Sequence, residues 1–159
     1  MSISPITAAA LSRAYANGEA NPVEVAQAAL SKALAAPAVF LKVTAERARL
    51  EAAASARRWR DGRPLSALDG VPIAWKDLFD IAGTLTTAGS AVFAEHPPAT
   101  RDAPLVAAGT RAGMVCIGKT ALSEFAFSGL GLNPHFGTAI NLSLVTCLLV
   151  RRSGRIPAT

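Results

Sequence analysis

Cysteine is scarce: Cys116 and Cys147 are the only two in a chain of 159 residues. That excludes a disulfide framework, and neither has a partner at metal-ligand spacing, so no metal is expected. A reducing, cytoplasmic setting is the default expectation. Long apolar runs are lacking too. The stretch from Leu142 to Val150 is too short to cross a bilayer unaided, and the opening MSISPITAAALSRAYANGEA has neither the basic start nor the continuous apolar centre of a secretory signal. No membrane association is expected. Charged residues make up only 17% of the chain against 51% hydrophobic ones, which excludes wholesale disorder and gives a single domain enough material for a core. Much of the net charge of +5 comes from Arg151, Arg152 and Arg155 near the end, so composition makes no case for an anionic partner.

The opening third reads as helices. Ser4-Pro5 marks a start, Ala8, Leu11 and Tyr15 share a face, and Asn17-Gly18 marks a stop. Asn21-Pro22-Val23-Glu24 is an N-cap followed by proline at the first helical position and an acidic first turn, with Val25, Ala28, Ala29 and Leu30 as apolar positions and Pro37 as the end. Ala38 to Val43 is compatible with a strand, and Thr44-Ala45-Glu46 opens an alanine-rich helix to about Arg60. Arg57, Arg58 and Arg60 lie within one turn and have no interleaved aromatics, so they read as a solvated helix end and not as a nucleic-acid site.

Beyond the break at Asp61-Gly62-Arg63-Pro64, Val71 to Trp75 is an apolar run preceded by a turn glycine, Gly70, and reads as a short buried strand. Asp102-Ala103-Pro104 caps a helix bearing Leu105, Val106 and Ala108, and Met114 to Ile117 is a second buried strand. This β-α-β rhythm implies an α/β fold. His96 and His135 sit alone in proline-containing loops and read as surface or structural residues.

Two lysines follow the two strands. Lys76 emerges where a buried strand gives way to a loop, a position at which poor solvation can favour a neutral amine able to act as a base. Lys119 belongs to Gly113-Met114-Val115-Cys116-Ile117-Gly118-Lys119-Thr120, which satisfies the phosphate-loop spacing. Physically that reading fails. The residues between the glycines should form an open loop whose amides cradle phosphate, and here they are the strand itself.

The segments LDGVPIAWKDLFDIAGTLTTAG, from Leu68 to Gly89, and GKTALSEFAFSGLGLNPHFGT, from Gly118 to Thr138, resemble the amidase signature family of serine amidohydrolases. GVPIAWKD is similar to its strand-and-lysine motif, and Thr86 to Ser90, TTAGS, to the loop after it. The resemblance runs from about Leu30 to Asn141. It implies a mixed β-sheet sandwiched between helical layers and preceded by helices, of which this chain supplies only the first strands and helices. It further implies hydrolysis of linear C–N amide bonds in a small-molecule substrate, with no cofactor. Lys76 would be the catalytic lysine, acting through a bridging serine in a cis peptide on a nucleophilic serine, and Lys119 would be structural.

Neither serine is placed by the resemblance. Leu142 to Thr159 stands where a Gly-Gly-Ser-Ser run belongs, and its Ser153-Gly154 lacks the preceding glycines. Residues 1–141 are therefore expected to be the N-terminal portion of an amidase signature domain and 142–159 a tail unlike the family, from a shifted frame or premature end. Trp75, where a smaller aliphatic residue is usual, and Ala121-Leu122, where Asn-Met is frequent, are expected to reshape the substrate pocket. A noncatalytic scaffold that binds a partner through an exposed sheet edge is the alternative. Substrate identity and oligomeric state are left open by the sequence.

Overall fold

A computed structural model describes residues 7–138. Helices α1 (Ala8–Ala16) and α2 (Pro22–Leu34) lead into strand β1 (Phe40–Val43), helix α3 (Ala45–Arg60), strand β2 (Pro72–Lys76), helix α4 (Pro104–Arg111) and strand β3 (Val115–Thr120). The sheet order is β1-β3-β2, with β3 antiparallel to β1 and parallel to β2. The β2-α4-β3 unit is the crossover anticipated from the sequence.

Local chemistry sets most of these boundaries. Thr7 caps α1 through its hydroxyl, Asn21 caps α2 by accepting from the Val23 N–H at 2.9 Å, and Pro22 takes the first turn of α2. The starting signal Ser4-Pro5 lies outside the described residues. Asp102 is not the cap of α4. Ala103 holds that place, and the Asp102 carboxylate instead accepts two hydrogen bonds from Arg47, each 2.7 Å, and one from the Ala82 N–H. The buried face of α2 also differs from the expected one. Ala26, Leu30 and Ala33 face inward and Ala28 faces water, because a 3.6-residue period starting from Pro22 selects that stripe.

Two apolar layers enclose the sheet. Ala26, Leu30 and Ala33 of α2 and Ala48 and Ala52 of α3 pack on Val115 and Ile117. Alanine at these positions lets the two helices approach β3 closely. On the other face Trp75, Cys116 and Ile81 pack with Val106 of α4. Trp75 is thus core. A Cβ on Gly109 would come within 2.9 Å of its ring, so the tryptophan is accommodated by a glycine of α4.

The start of β2 is tied to the helices. Arg58 donates twice to the buried Asp69, each bond 2.7 Å. The Trp59 indole donates to the Asp69 carbonyl and the Tyr15 hydroxyl to the Gly70 carbonyl. Arg57 and Arg60 are solvated, as expected of a helix end, whereas Arg58 is a structural pair partner. Burial and this bond direct the Tyr15 hydroxyl inward, and burial pushes its pKa up to about 12.

Candidate functional site

The carboxyl ends of the parallel strands β2 and β3 lie side by side, with Lys76 opposite Thr120 and Trp75 opposite Lys119. In parallel sheets this is the end where ligands bind, because the loops there are free to carry chemistry. Lys76 closes β2 and is exposed, and its amine has no hydrogen-bond or ion-pair partner among the described residues, although its carbonyl accepts from the Leu78 and Phe79 N–H groups. The poor solvation expected of it is not found. Strand β2 is at the sheet edge, with no strand on its outer side among the described residues, so water reaches the end of the strand.

Lys119 differs in every respect. Its side chain is fully buried, and its ammonium donates to the Leu85 carbonyl at 2.9 Å and the Thr86 hydroxyl, and pairs with the Asp77 carboxylate at 2.7 Å. An ammonium has three N–H donors, and these partners occupy all of them. Lys119 therefore has nothing left for a phosphate, and β3 runs straight through the residues that a phosphate loop would leave open.

A bulge brings Lys119 to this position. Ile73 pairs with Cys116 but Ala74 pairs with Gly118, so β3 carries one extra residue, Ile117. The extra residue resets the alternation and turns Lys119 toward the face that Trp75 and Asp77 share. Gly118 makes the bulge possible, since a Cβ there would fall on the Lys42 carbonyl oxygen of β1.

Asp77 organises the loop that follows. Besides Lys119, its carboxylate accepts from the Thr87 hydroxyl and from the Thr87 N–H at 3.0 Å, and its carbonyl accepts from the Ala88 N–H. Asn133 fastens this loop to the next one. Its amide donates to the Gly89 carbonyl at 2.7 Å and the Leu122 carbonyl at 2.9 Å, while its oxygen accepts from the N–H groups of His135 and Phe136. The sequence pattern shows Asn133-Pro134 only as a turn and does not disclose this clamp. The one local signal is an asparagine among glycines.

Ser90 donates to Glu124 at 2.7 Å, and the His135 imidazole lies 3.7 Å from the same carboxylate oxygen. Both histidines are exposed, and His96 rests on Phe93. Ala88, Phe125 and Ala126 have positive φ, and the Phe125 N–H donates to the Ala88 carbonyl, so backbone strain collects where the two loops meet. Leu122 is buried and Ala121 partly exposed.

Residues 24–142 match the family model Amidase. The chain is 44% identical over 98 residues to AtzE, a component of the 1-carboxybiuret hydrolase of Pseudomonas sp. (strain ADP), covering 62% of this chain and 21% of that one. It is 39% identical over 103 residues to the fatty acid amide hydrolase of Medicago truncatula, covering 65% of this chain and 17% of the relative. Among solved structures, a chain of a vestigial protein complex bearing on the origins of an s-triazine catabolic enzyme superposes with a TM-score of 0.78 at 36% identity, over 84% of this chain and 30% of that one. The native peptide amidase of Stenotrophomonas maltophilia superposes with a TM-score of 0.74 at 30% identity, over 88% of this chain and 30% of the enzyme. The chain thus spans less than a third of the length of these relatives.

Proposed function

The chain belongs to the amidase signature family, and from that premise we propose that it carries the lysine-bearing portion of a site that hydrolyses linear C–N amide bonds, with Lys76 as its base. The observation that carries this reading is the contrast between the two lysines. Lys119 is buried and fully engaged, whereas Lys76, in the motif GVPIAWKD at the carboxyl end of a parallel strand, is exposed and its amine has no partner among the described residues.

In this chemistry an unprotonated lysine draws a proton through a bridging serine from a nucleophilic serine, whose oxygen attacks the amide carbonyl. The tetrahedral intermediate collapses as the amine leaves with a proton, and water then hydrolyses the acyl-enzyme. Backbone N–H groups would hold the oxyanion. We assign neither serine to the described residues, where no peptide bond is cis. The reading therefore includes a division at about residue 141, with the serine-bearing segment supplied from outside 1–141 and the 159-residue chain inactive alone. The substrate would be a small amide, and no cofactor takes part.

A second reading, a noncatalytic partner-binding protein, draws on the outer side of β2, unpaired among the described residues, and on the exposure of Phe127, Leu130 and Leu132. One experiment separates them. Residues 7–138 are joined to the remaining two-thirds of the Stenotrophomonas maltophilia peptide amidase in place of that enzyme's own segment, and release of ammonia from a peptide amide is measured. Turnover supports the catalytic reading, and a folded but inert hybrid supports the scaffold.

A further inference from the structure

We infer that Lys119 is a positioning residue for Lys76: it captures the carboxylate of Asp77 on the far face of the sheet and so keeps the amine of Lys76 free. This inference rests on the assignment of Lys76 as the base.

Lys76 and Asp77 are adjacent and of opposite charge. An exposed lysine beside a free carboxylate readily closes onto it, and the ion pair favours the ammonium form, leaving less unprotonated amine to act as a base. In the structure that closure does not occur, because the pleat sends the two side chains to opposite faces and Asp77 is held there. Its side chain is 3% exposed. One oxygen takes the Lys119 ammonium at 2.7 Å, and the other takes the Thr87 hydroxyl and N–H. The Asp77 N–H donates to the Thr120 carbonyl at 3.1 Å, which continues the pairing of β2 with β3 one residue past Lys76.

The groups near Asp77 leave few ways to replace that cation. On its own loop, Leu85, Thr86 and Thr87 offer neutral partners only. On β3, the neighbours of Lys119 are Gly118 and Thr120, neither of them charged. Arg47 is committed to Glu51 and Asp102, and Arg58 to Asp69. Without Lys119 the buried carboxylate loses its sole ion-pair partner among the described residues. The relief open to an anion in that position is to turn outward past the strand end, toward water and Lys76. The Gly118 bulge gains a purpose in this light, since without the extra residue Lys119 would point to the other face.

The test uses the full 159-residue chain and needs no turnover. Acetylation of each lysine by an amine-reactive ester is followed by peptide mass spectrometry across a pH series, with the exposed Lys32 and Lys42 as internal references. Lys119→Met should slow acetylation of Lys76 roughly threefold to tenfold relative to those references, as expected of an amine newly engaged by a carboxylate, and should displace its profile to higher pH. Lys119→Met combined with Asp77→Asn removes the carboxylate and should restore the wild-type rate, which a purely structural role of Lys119 does not require. Lys119→Leu, which removes the cation while keeping an apolar stem, should give the same slowing and serves if Lys119→Met does not fold. Equal acetylation of Lys76 in the wild type and in folded Lys119→Met, or in Lys119→Leu if that alone folds, overturns the inference while leaving the role of Lys76 intact. Turnover that survives Lys76→Ala in the joined enzyme removes the role of Lys76 while leaving the acetylation comparison readable.

Discussion

Replacing Asp69 by asparagine tests whether the start of β2 is held as described. The wild-type carboxylate is fully buried, accepts from Arg58 at 2.7 Å twice and from the Leu65 N–H at 2.8 Å, and faces Gly113, whose missing Cβ would stand 2.5 Å from it. Asparagine keeps the volume but turns an N–H group toward the guanidinium. Breaking a fully buried pair costs ~3–5 kcal/mol, and because the Arg58 side chain is 26% exposed and regains water, about 2–3 kcal/mol is expected. For a chain of this size that lowers Tm by about 4–12 °C.

The pH dependence of that loss has a definite sign. Burial alone would raise the Asp69 pKa, but the Arg58 hydrogen bonds and the Leu65 N–H outweigh it, and the net shift is downward. A carboxyl whose folded pKa lies below its unfolded one stabilises the fold above the unfolded value and loses that contribution as pH falls through the folded value. The difference in Tm between wild type and Asp69→Asn should therefore be constant near neutrality and close only below the ordinary carboxylate range. Thermal circular dichroism at neutral pH and at about pH 3 measures it. A variant that melts within about 1 °C of wild type at neutral pH, or a difference that widens on acidification, would refute the reasoning.

Gly118→Ala places a methyl group on the Lys42 carbonyl, so urea unfolding should show a loss of at least about 1–3 kcal/mol, with β1 released from β3. Asn133→Ala leaves the Gly89 and Leu122 carbonyls without their donor and should cost roughly 1–3 kcal/mol while exposing residues 121–138 to limited proteolysis, read by peptide mapping. Cys116 is buried and its thiol pKa is raised, chiefly by desolvation, so in a Cys147→Ser background it should resist a disulfide reagent until the chain is unfolded.

What the sequence disclosed and what it hid divide by range. The cap at Asn21, the stop at Asn17-Gly18 and the strand that ends at Lys76 depend on neighbours within a few positions, and the structure follows them. Asp102 looks like a cap because Pro104 follows it, but its partner Arg47 lies 55 residues away. Arg58 looks solvated for the same reason, since Asp69 reaches it only after the chain reverses. The apolar run before Lys76 suggests a poorly solvated amine. That pattern cannot tell an edge strand from a central one, and among the described residues β2 lies at the edge. The environment of Trp75 is decided by Gly109 on a helix more than thirty residues later. The engagement of Lys119 depends on a one-residue bulge, for which Gly118 is the only local sign.

The measurement that bears most directly on the central claim is the effect of Lys76→Ala in the hybrid of residues 7–138 with the peptide amidase remainder, with kcat and KM for a peptide amide determined separately. A base that acts in the transition state should show a fall in kcat of roughly a thousandfold or more with KM little changed. A kcat within about tenfold of the unsubstituted hybrid would contradict the assignment of Lys76.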